Sequence, residues 1–300
     1  MPITLAELPP PPPGKTGWPW TEQSNPLPAG LSRISIVTPS YNQGPFLEET
    51  IRSVLLQGHP DLEYIIIDGG SSDESVAIIR KYEKWLAYWV SEKDAGQAAA
   101  IRKGLDRVTG SICAYLNSDD IYMPNALGRV AARFASQPEP DVVYGNLYRI
   151  DPQDRVIEEH RNTPFSRWGY LYGGFFLHQP ATFWKTKTVR AVGGVNPDFR
   201  FDMDNDLFMR LALSRARFAF VRNFVAGFRV HPTSKSSTIQ HVSKAENEKM
   251  RKVYLPFPFN SMKGYVIRNA TRAKRVLWYG VQGDLWWLAK RLFQPRNQTG

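Results

Sequence analysis

Four short apolar runs constrain this chain more than any other feature: ISIVT at 34–38, LEYIII at 62–67, LAYWV at 86–90 and ICAYL at 112–116. Segments with helix-like spacing follow at 46–57, 73–84, 97–108 and 124–136. Apolar runs without strict alternation, separated by helices, belong to parallel strands covered on both faces. The first half therefore reads as an α/β doubly wound core. After residue 140 the rhythm changes. Strands are expected at 141–150, 155–161, 181–184 and 218–231, a glycine- and aromatic-rich loop at 168–176 and a helix near 204–214. That half reads as mixed rather than parallel, and no internal repeat stands out.

The strand ends carry the chemistry. In open α/β sheets ligands bind at the carboxyl ends of the strands. Three runs end in polar or acidic residues: Pro39-Ser40-Tyr41-Asn42, Asp68-Gly69-Gly70-Ser71-Ser72-Asp73 and Asn117-Ser118-Asp119-Asp120. Carboxylates at such an edge suit a hard divalent cation, Mg²⁺ or Mn²⁺, completed by substrate phosphate oxygens. The competing reading is that Asp119 or Asp120 caps the helix that follows. Ser71 and Glu74 have capping-box spacing at the start of the second helix.

The order of these motifs resembles the family 2 glycosyltransferases, nucleotide-sugar-dependent enzymes of the GT-A fold. The resemblance lies in SIVTPSYNQGPFLEETIRSVLLQ (35–57), YIIIDGGSSDES (64–75), SEKDAGQAAAIRKGL (91–105) and AYLNSDDIYMP (114–124), with GGVNPDFRFDMDNDLFMRLA (193–212) further on. It covers roughly 33–231. It implies a GT-A-like mixed sheet flanked by helices, in a catalytic domain over 33–234.

The resemblance also implies roles. Pro39, Tyr41 and Asn42 would line the nucleotide pocket, and Asp68 would bond the base or ribose. Gly69 stands where many members carry a second acid, so the nucleotide stays open, with UDP favoured. Asp94, Gly96 and Gln97 match a donor-side stretch; Gln97 also reads as a plain helix start. Asn117, Ser118 and Asp119 occupy the metal-binding position, with Asp119 helped by Asp120 as ligands. Asn117 replaces an acid there, so the metal should be held mainly when the donor's diphosphate is present. Asp204 falls in the base position, with Asp206 and Asp202 as alternates and a solvated acidic helix start as the plain reading. Arg210 would lie on the acceptor side, and His231 near the metal or diphosphate. His178, just before a strand, reads either as lining the acceptor pocket or as simply buried and hydrogen-bonded. The Ser/Lys loop behind His231 would act as a lid. Inverting, metal-assisted sugar transfer to a hydroxyl acceptor is implied.

The flanks read differently from the core. Residues 1–32 are proline-rich, with an unbroken run from Pro9 to Pro13 that favours an extended arm over packing. The single cysteine, Cys113, lies in an apolar run, which excludes an internal disulfide and suits a reducing compartment. The net charge of +10 is uneven: residues 235–300 carry 13 Lys/Arg against 3 Asp/Glu, and the rest of the chain carries 25 of each. Within the tail, Leu285, Leu288, Ala289 and Leu292 recur at helical spacing among tryptophans and cations. That pattern fits either a helix at an anionic membrane surface through 262–293 or a helix packed on the core with a solvated basic face. No recognised nucleic-acid module accompanies the charge. No secretory leader or membrane-spanning run is visible, so the expectation is a cytoplasmic protein, peripheral on the membrane face, with a saccharide or lipid-linked saccharide acceptor. A nucleotidyltransferase on a related fold would want a basic phosphate loop after the first strand, and PSYNQGPFLEE has none. A non-catalytic carbohydrate- or membrane-binding protein is the other rival.

Overall fold

The structure, a computed structural model, describes residues 1–173, 175–234 and 240–293. The chain runs β1 (Ile34–Ser40), α1 (Gly44–Leu55), β2 (Leu62–Asp68), α2 (Ser75–Tyr82), β3 (Tyr88–Ser91), α3 (Gln97–Leu105), β4 (Ile112–Tyr115), β5 (Ile121–Tyr122) and α4 (Ala126–Ala135). It continues through β6 (Val142–Ile150), β7 (Val156–His160), α5 (Arg167–Leu171), β8 (Thr182–Lys185), α6 (Thr186–Ala191), α7 (Met203–Leu213) and β9 (Phe218–Arg229). Helices α8 (Gln240–Tyr254), α9 (Met262–Val281) and α10 (Leu285–Phe293) follow.

One mixed sheet has the order β3-β2-β1-β4-β8-β6-β9-β5, with β7 paired to β6. The four strands β3, β2, β1 and β4 are parallel. β8 runs antiparallel to both of its neighbours, and β9 returns parallel to β6. The chain thus winds outward from β1 to β3, then crosses back to lay β4 on the other flank of β1. The carboxyl ends of β1 and β4 lie side by side there, where the strand order reverses and such sheets open a ligand crevice.

The parallel strands form because both faces are covered. Every residue of β1 is buried. Leu47, Ile51, Val54 and Leu55 of α1 are buried on one side, and Ala98, Ile101 and Leu105 of α3 belong to the same core. Gly104 allows α3 to lie close on β1, since a Cβ there would stand 2.3 Å from a Val37 methyl. Cys113 is part of this core, and burial pushes its thiol up to about 11.

Three expectations need correction. The proline-rich arm packs instead of standing away. The buried Arg52 guanidinium donates to the carbonyls of Pro9 (2.8 Å), Pro19 (3.1 Å) and Trp20 (2.9 Å), and Trp18 Nε1 donates to the carbonyl of Tyr122. Backbone carbonyls that proline segments leave unpaired are thus satisfied by one interior cation. Ser71 and Glu74 do not form a capping box. Helix α2 begins at Ser75 after Glu74, without a side-chain cap, and Asp73 just before it accepts the Ser75 N–H at 3.0 Å and the Gly44 N–H at 2.9 Å. The 168–176 loop contains the short helix α5, started by Ser166 Oγ, which accepts the Gly169 N–H.

The basic tail is docked. Glu246 of α8 accepts the N–H groups of Arg200, Phe201 and Asp202, and Met250 is buried. Tyr279 of α9 donates to the carbonyl of Arg161 at 2.6 Å, and Trp287 of α10 lies 5.1 Å from the Tyr279 ring.

Candidate active site at the carboxyl edge of the sheet

The crevice is built by turns that bond to one another. The Asn42 backbone N–H donates to Ser71 Oγ, and Asn42 Oδ1 accepts the Ser72 N–H at 2.9 Å. Asp68 is fully buried and accepts from the N–H groups of Gly70 and Ser71 and from the hydroxyls of Ser71 and Ser91. Four donors fill the acceptor sites of one carboxylate. Asp68 therefore sets the shape of the loop around Gly69. Pro39 is buried within β1, whereas Tyr41 is exposed beside Gly69. A Cβ on Gly69 would meet Asp94 Oδ2 at 3.0 Å and the Tyr41 ring at 3.3 Å. Gly69, Tyr41 and Asp94 thus share one corner. Asp94 Oδ1 also accepts the Gly96 N–H at 2.7 Å, just before α3.

Gln97 opens α3 and also reaches the site. Its Nε2 donates to Asn117 Oδ1 at 2.8 Å. Asn117 Nδ2 faces Asp120 Oδ2 at 3.3 Å and Gln179 Oε1 at 3.5 Å. Ser118 is buried, and its carbonyl accepts the Thr50 hydroxyl, which is also 2.7 Å from the carbonyl of Asp120.

The adjacent acids diverge. Asp120 is fully buried and accepts the Arg229 N–H at 2.9 Å. Burial pushes its carboxyl well above the usual range, and the neighbouring Asp119 charge adds to the rise. Asp119 is partly exposed, with its Oδ2 3.0 Å from His231 Nε2. His231 Nδ1 lies 2.9 Å from Thr233 Oγ1. Neither acid caps α4, whose first turn follows Asn125 without a side-chain cap. Residues 235–239, which hold most of the expected lid, lie outside the described residues.

Asp119 and His231 supply one carboxylate and one imidazole. Among the described residues no group of three or more His, Cys, Asp or Glu could hold a metal. A hard divalent ion accepts one or two protein groups when phosphates and water complete its shell, so this pair fits an ion that arrives with a diphosphate.

The acids of α7 also divide. Asp202 is buried and accepts from the side-chain amides of Asn205 (2.7 Å) and Asn247 (2.8 Å). Asp206 is fully buried, paired with Arg210 and accepting the Tyr254 hydroxyl at 2.7 Å. Asp204 is only partly buried, and its Oδ1 accepts the Asn205 N–H. Its charge reaches two buried phenols. Burial raises Tyr115 well above its usual value, and Asp204 and then Asp120 raise it further; Tyr170 is raised by burial and then by Asp204. Tyr115 closes β4, the strand that leads into Asn117 to Asp119. Arg210 is spent on Asp206 and the carbonyl of Val192. His178 packs edge-on to His160, ring centroids 4.6 Å apart.

Sequence reasoning passed over Thr50, Gln179 and Arg229. Arg229 is fully buried, donates to the carbonyl of Asp119 at 2.8 Å and pairs with Glu49 and Asp154. A lone arginine at the end of an apolar strand, two residues before His231, was its signal, because period two puts both on one face.

The sequence profile described as Glycosyl transferase family 2 matches residues 35–208. An uncharacterized glycosyltransferase of Mycobacterium tuberculosis is 30% identical over 183 residues, 60% of this chain and 69% of that protein. TuaG of Bacillus subtilis, named for teichuronic acid biosynthesis, is 39% identical over 97 residues, 31% of this chain and 38% of that one. Among solved structures, S. aureus TarS 1–349 in complex with UDP-GlcNAc superposes with TM-score 0.59 at 16% identity, over 82% of this chain and 72% of that one. A mannosyltransferase of Pyrobaculum calidifontis with GDP-Man and Mn²⁺ gives 0.56 at 17%, over 91% and 84%. At such identities the likeness is one of fold.

Proposed function

The chain belongs to glycosyl transferase family 2, and from that premise we propose that it moves a sugar from a nucleoside-diphosphate sugar, UDP-linked in the first instance, to a hydroxyl acceptor with inversion. The observation that supports this reading is that the charges of Asp204 and Asp120 both bear on the buried Tyr115 phenol, in the strand that leads into Asn117 to Asp119. A base and a phosphate-binding edge must lie on opposite sides of one sugar, and Asp204 and Asp120 are 84 positions apart in sequence.

Tyr41, Asn42, Asp94 and Gly96 form the nucleotide side, with Asp68 holding their loop and Gln97, Asn117 and Ser118 at the sugar. Asp119 and His231 would hold a divalent cation, which when bound offsets charge on the leaving diphosphate. Asp120 supports Asp119 from the interior. Asp204 takes the proton of the acceptor hydroxyl while its oxygen bonds the anomeric carbon and the bond to the diphosphate breaks. Asp206 and Asp202 shape the helix that carries it, and Arg210 serves through Asp206. His178 lies on the acceptor side. The relatives support the donor class, since one carries UDP-GlcNAc and another GDP-Man with Mn²⁺. TuaG's name supports a surface polysaccharide or its lipid-linked precursor as acceptor.

No helix among the described residues is long and apolar enough to cross a membrane. The basic segment 262–293 then serves as a peripheral contact with an anionic membrane, on the cytoplasmic face. The test is Asp204→Asn, assayed for transfer and, separately, for donor binding. Lost transfer with intact binding supports the assignment; surviving transfer moves the base to Asp206 or Asp202.

A further inference from the structure

We propose that the cavity between α9 and the chain around α5 seats one hydrocarbon chain of an anionic phospholipid, so that the C-terminal helices grip a bilayer rather than merely lie on it. This rests on the membrane contact proposed above and adds a built site to it. The cavity measures about 260 Å³. Phe175 walls it from the core side, and Lys274, Arg275, Leu277, Trp278 and Val281 wall it from α9. Lys274, Trp278 and Val281 follow one another at helical spacing, so one face of α9 forms the wall.

Size and lining fit a hydrocarbon. An apolar cavity of about 150 Å³ suffices for a benzene ring, so this one takes a longer stretch of chain. The surroundings fit a lipid better than a buried core. Leu277, Val281, Leu285 and Trp286 lie within ten residues and are each more than half exposed. Single exposed apolar residues are ordinary, but a row of them beside a cavity marks a contact surface. Charge selects the head group. Residues 262–290 carry six Lys/Arg and one acid, Asp284, which pairs with Arg161. Cations interleaved with a tryptophan and leucines complement phosphate-bearing lipid, with the chain below and the phosphate beside Lys274 and Arg275.

The test uses the full chain and vesicles of phosphatidylcholine with or without phosphatidylglycerol. Flotation is expected only with phosphatidylglycerol. Phosphatidylglycerol with brominated acyl chains should quench tryptophan emission, and Trp278→Phe should remove much of that quenching. Thr271 also lines the cavity; Thr271→Phe narrows it without changing charge and should weaken vesicle affinity about tenfold, the worth of roughly two methylenes left in water. Leu277→Asp, at an exposed position, should weaken it similarly and serves if the filled variant does not fold. Transfer to a short water-soluble acceptor should persist in all three variants, which separates this site from the catalytic reading. Unchanged affinity in Thr271→Phe and Leu277→Asp, with unchanged quenching in Trp278→Phe, overturns the chain site while leaving the membrane contact standing. Absence of flotation on either vesicle, or equal flotation on both, overturns the proposal as well.

Discussion

At the end of β4 and at the start of α7 the chain gathers carboxylates within a few residues, and each cluster divides them between full burial and partial exposure. On the strand side, Asp120 is fully buried under the Arg229 N–H while Asp119 reaches His231. On the helix side, Asp202 and Asp206 are buried against Asn205, Asn247, Arg210 and Tyr254 while Asp204 stays partly open. The divider is periodicity. Neighbours just past a strand point to opposite sides, so one step separates support from chemistry. On a helix two residues span about 200°, so Asp204 faces away from Asp202 and Asp206, which are four apart and share a face. The buried acids hold the frame, and the accessible ones are those proposed to act.

Exchanging the roles within each cluster tests this division. Asp204→Asn should lower transfer by about 10²–10⁴-fold, the range of a positioned base, with little change in unfolding temperature. Asp206→Asn should do the reverse. It leaves the Arg210 guanidinium without its carboxylate and should destabilise by about 2 kcal/mol in denaturant unfolding, below the ~3–5 kcal/mol of fully enclosed pairs, because Arg210 keeps 19% of its side chain exposed. Asp120→Asn should cost only about 1 kcal/mol, since an amide oxygen can still accept the Arg229 N–H and burial already disfavours the charge. A loss of several kcal/mol there would mean that Asp120 works as an anion and would blur the contrast with Asp119.

A pH-dependent effect comes from Glu49 behind the strand-end cluster. Burial pushes its carboxyl up to about 7 from an ordinary 4.5, with Arg229 pulling down and Asp154 pushing up. Between these values the folded protein holds a proton that the unfolded chain has released. Stability should therefore fall as pH rises from about 4.5 through about 7. Glu49→Gln should flatten that part of the profile, measured as unfolding midpoint against pH; an unchanged slope would assign it to other groups.

How much of this was legible in the sequence depended on what held each part. Strands 34–38, 62–67 and 112–116 could be read because burial on both faces leaves near-continuous apolar runs, and the crevice followed from where they end. The separation of Asp204 from Asp202 and Asp206 was legible from helical spacing alone. The packing of the proline-rich arm was not, because Arg52 holds it through backbone carbonyls, which leave no pattern in side chains. Ser71 looked like a cap because its spacing fits one, but its hydroxyl is taken by Asp68 and the Asn42 N–H. Glu246 capping residues 200–202 across more than forty positions could not be seen in local sequence either.

The central claim is that Asp119 and His231 form a metal site completed by a donor diphosphate while Asp204 serves chemistry alone. Thermal unfolding with UDP, GDP and their sugars, with and without Mn²⁺, tests it most directly on wild type, Asp119→Ala and Asp204→Asn. The account predicts stabilisation by at least one nucleotide that depends on Mn²⁺, disappears in Asp119→Ala and persists in Asp204→Asn. Metal-independent stabilisation, none by any nucleotide, or stabilisation that survives Asp119→Ala would contradict it.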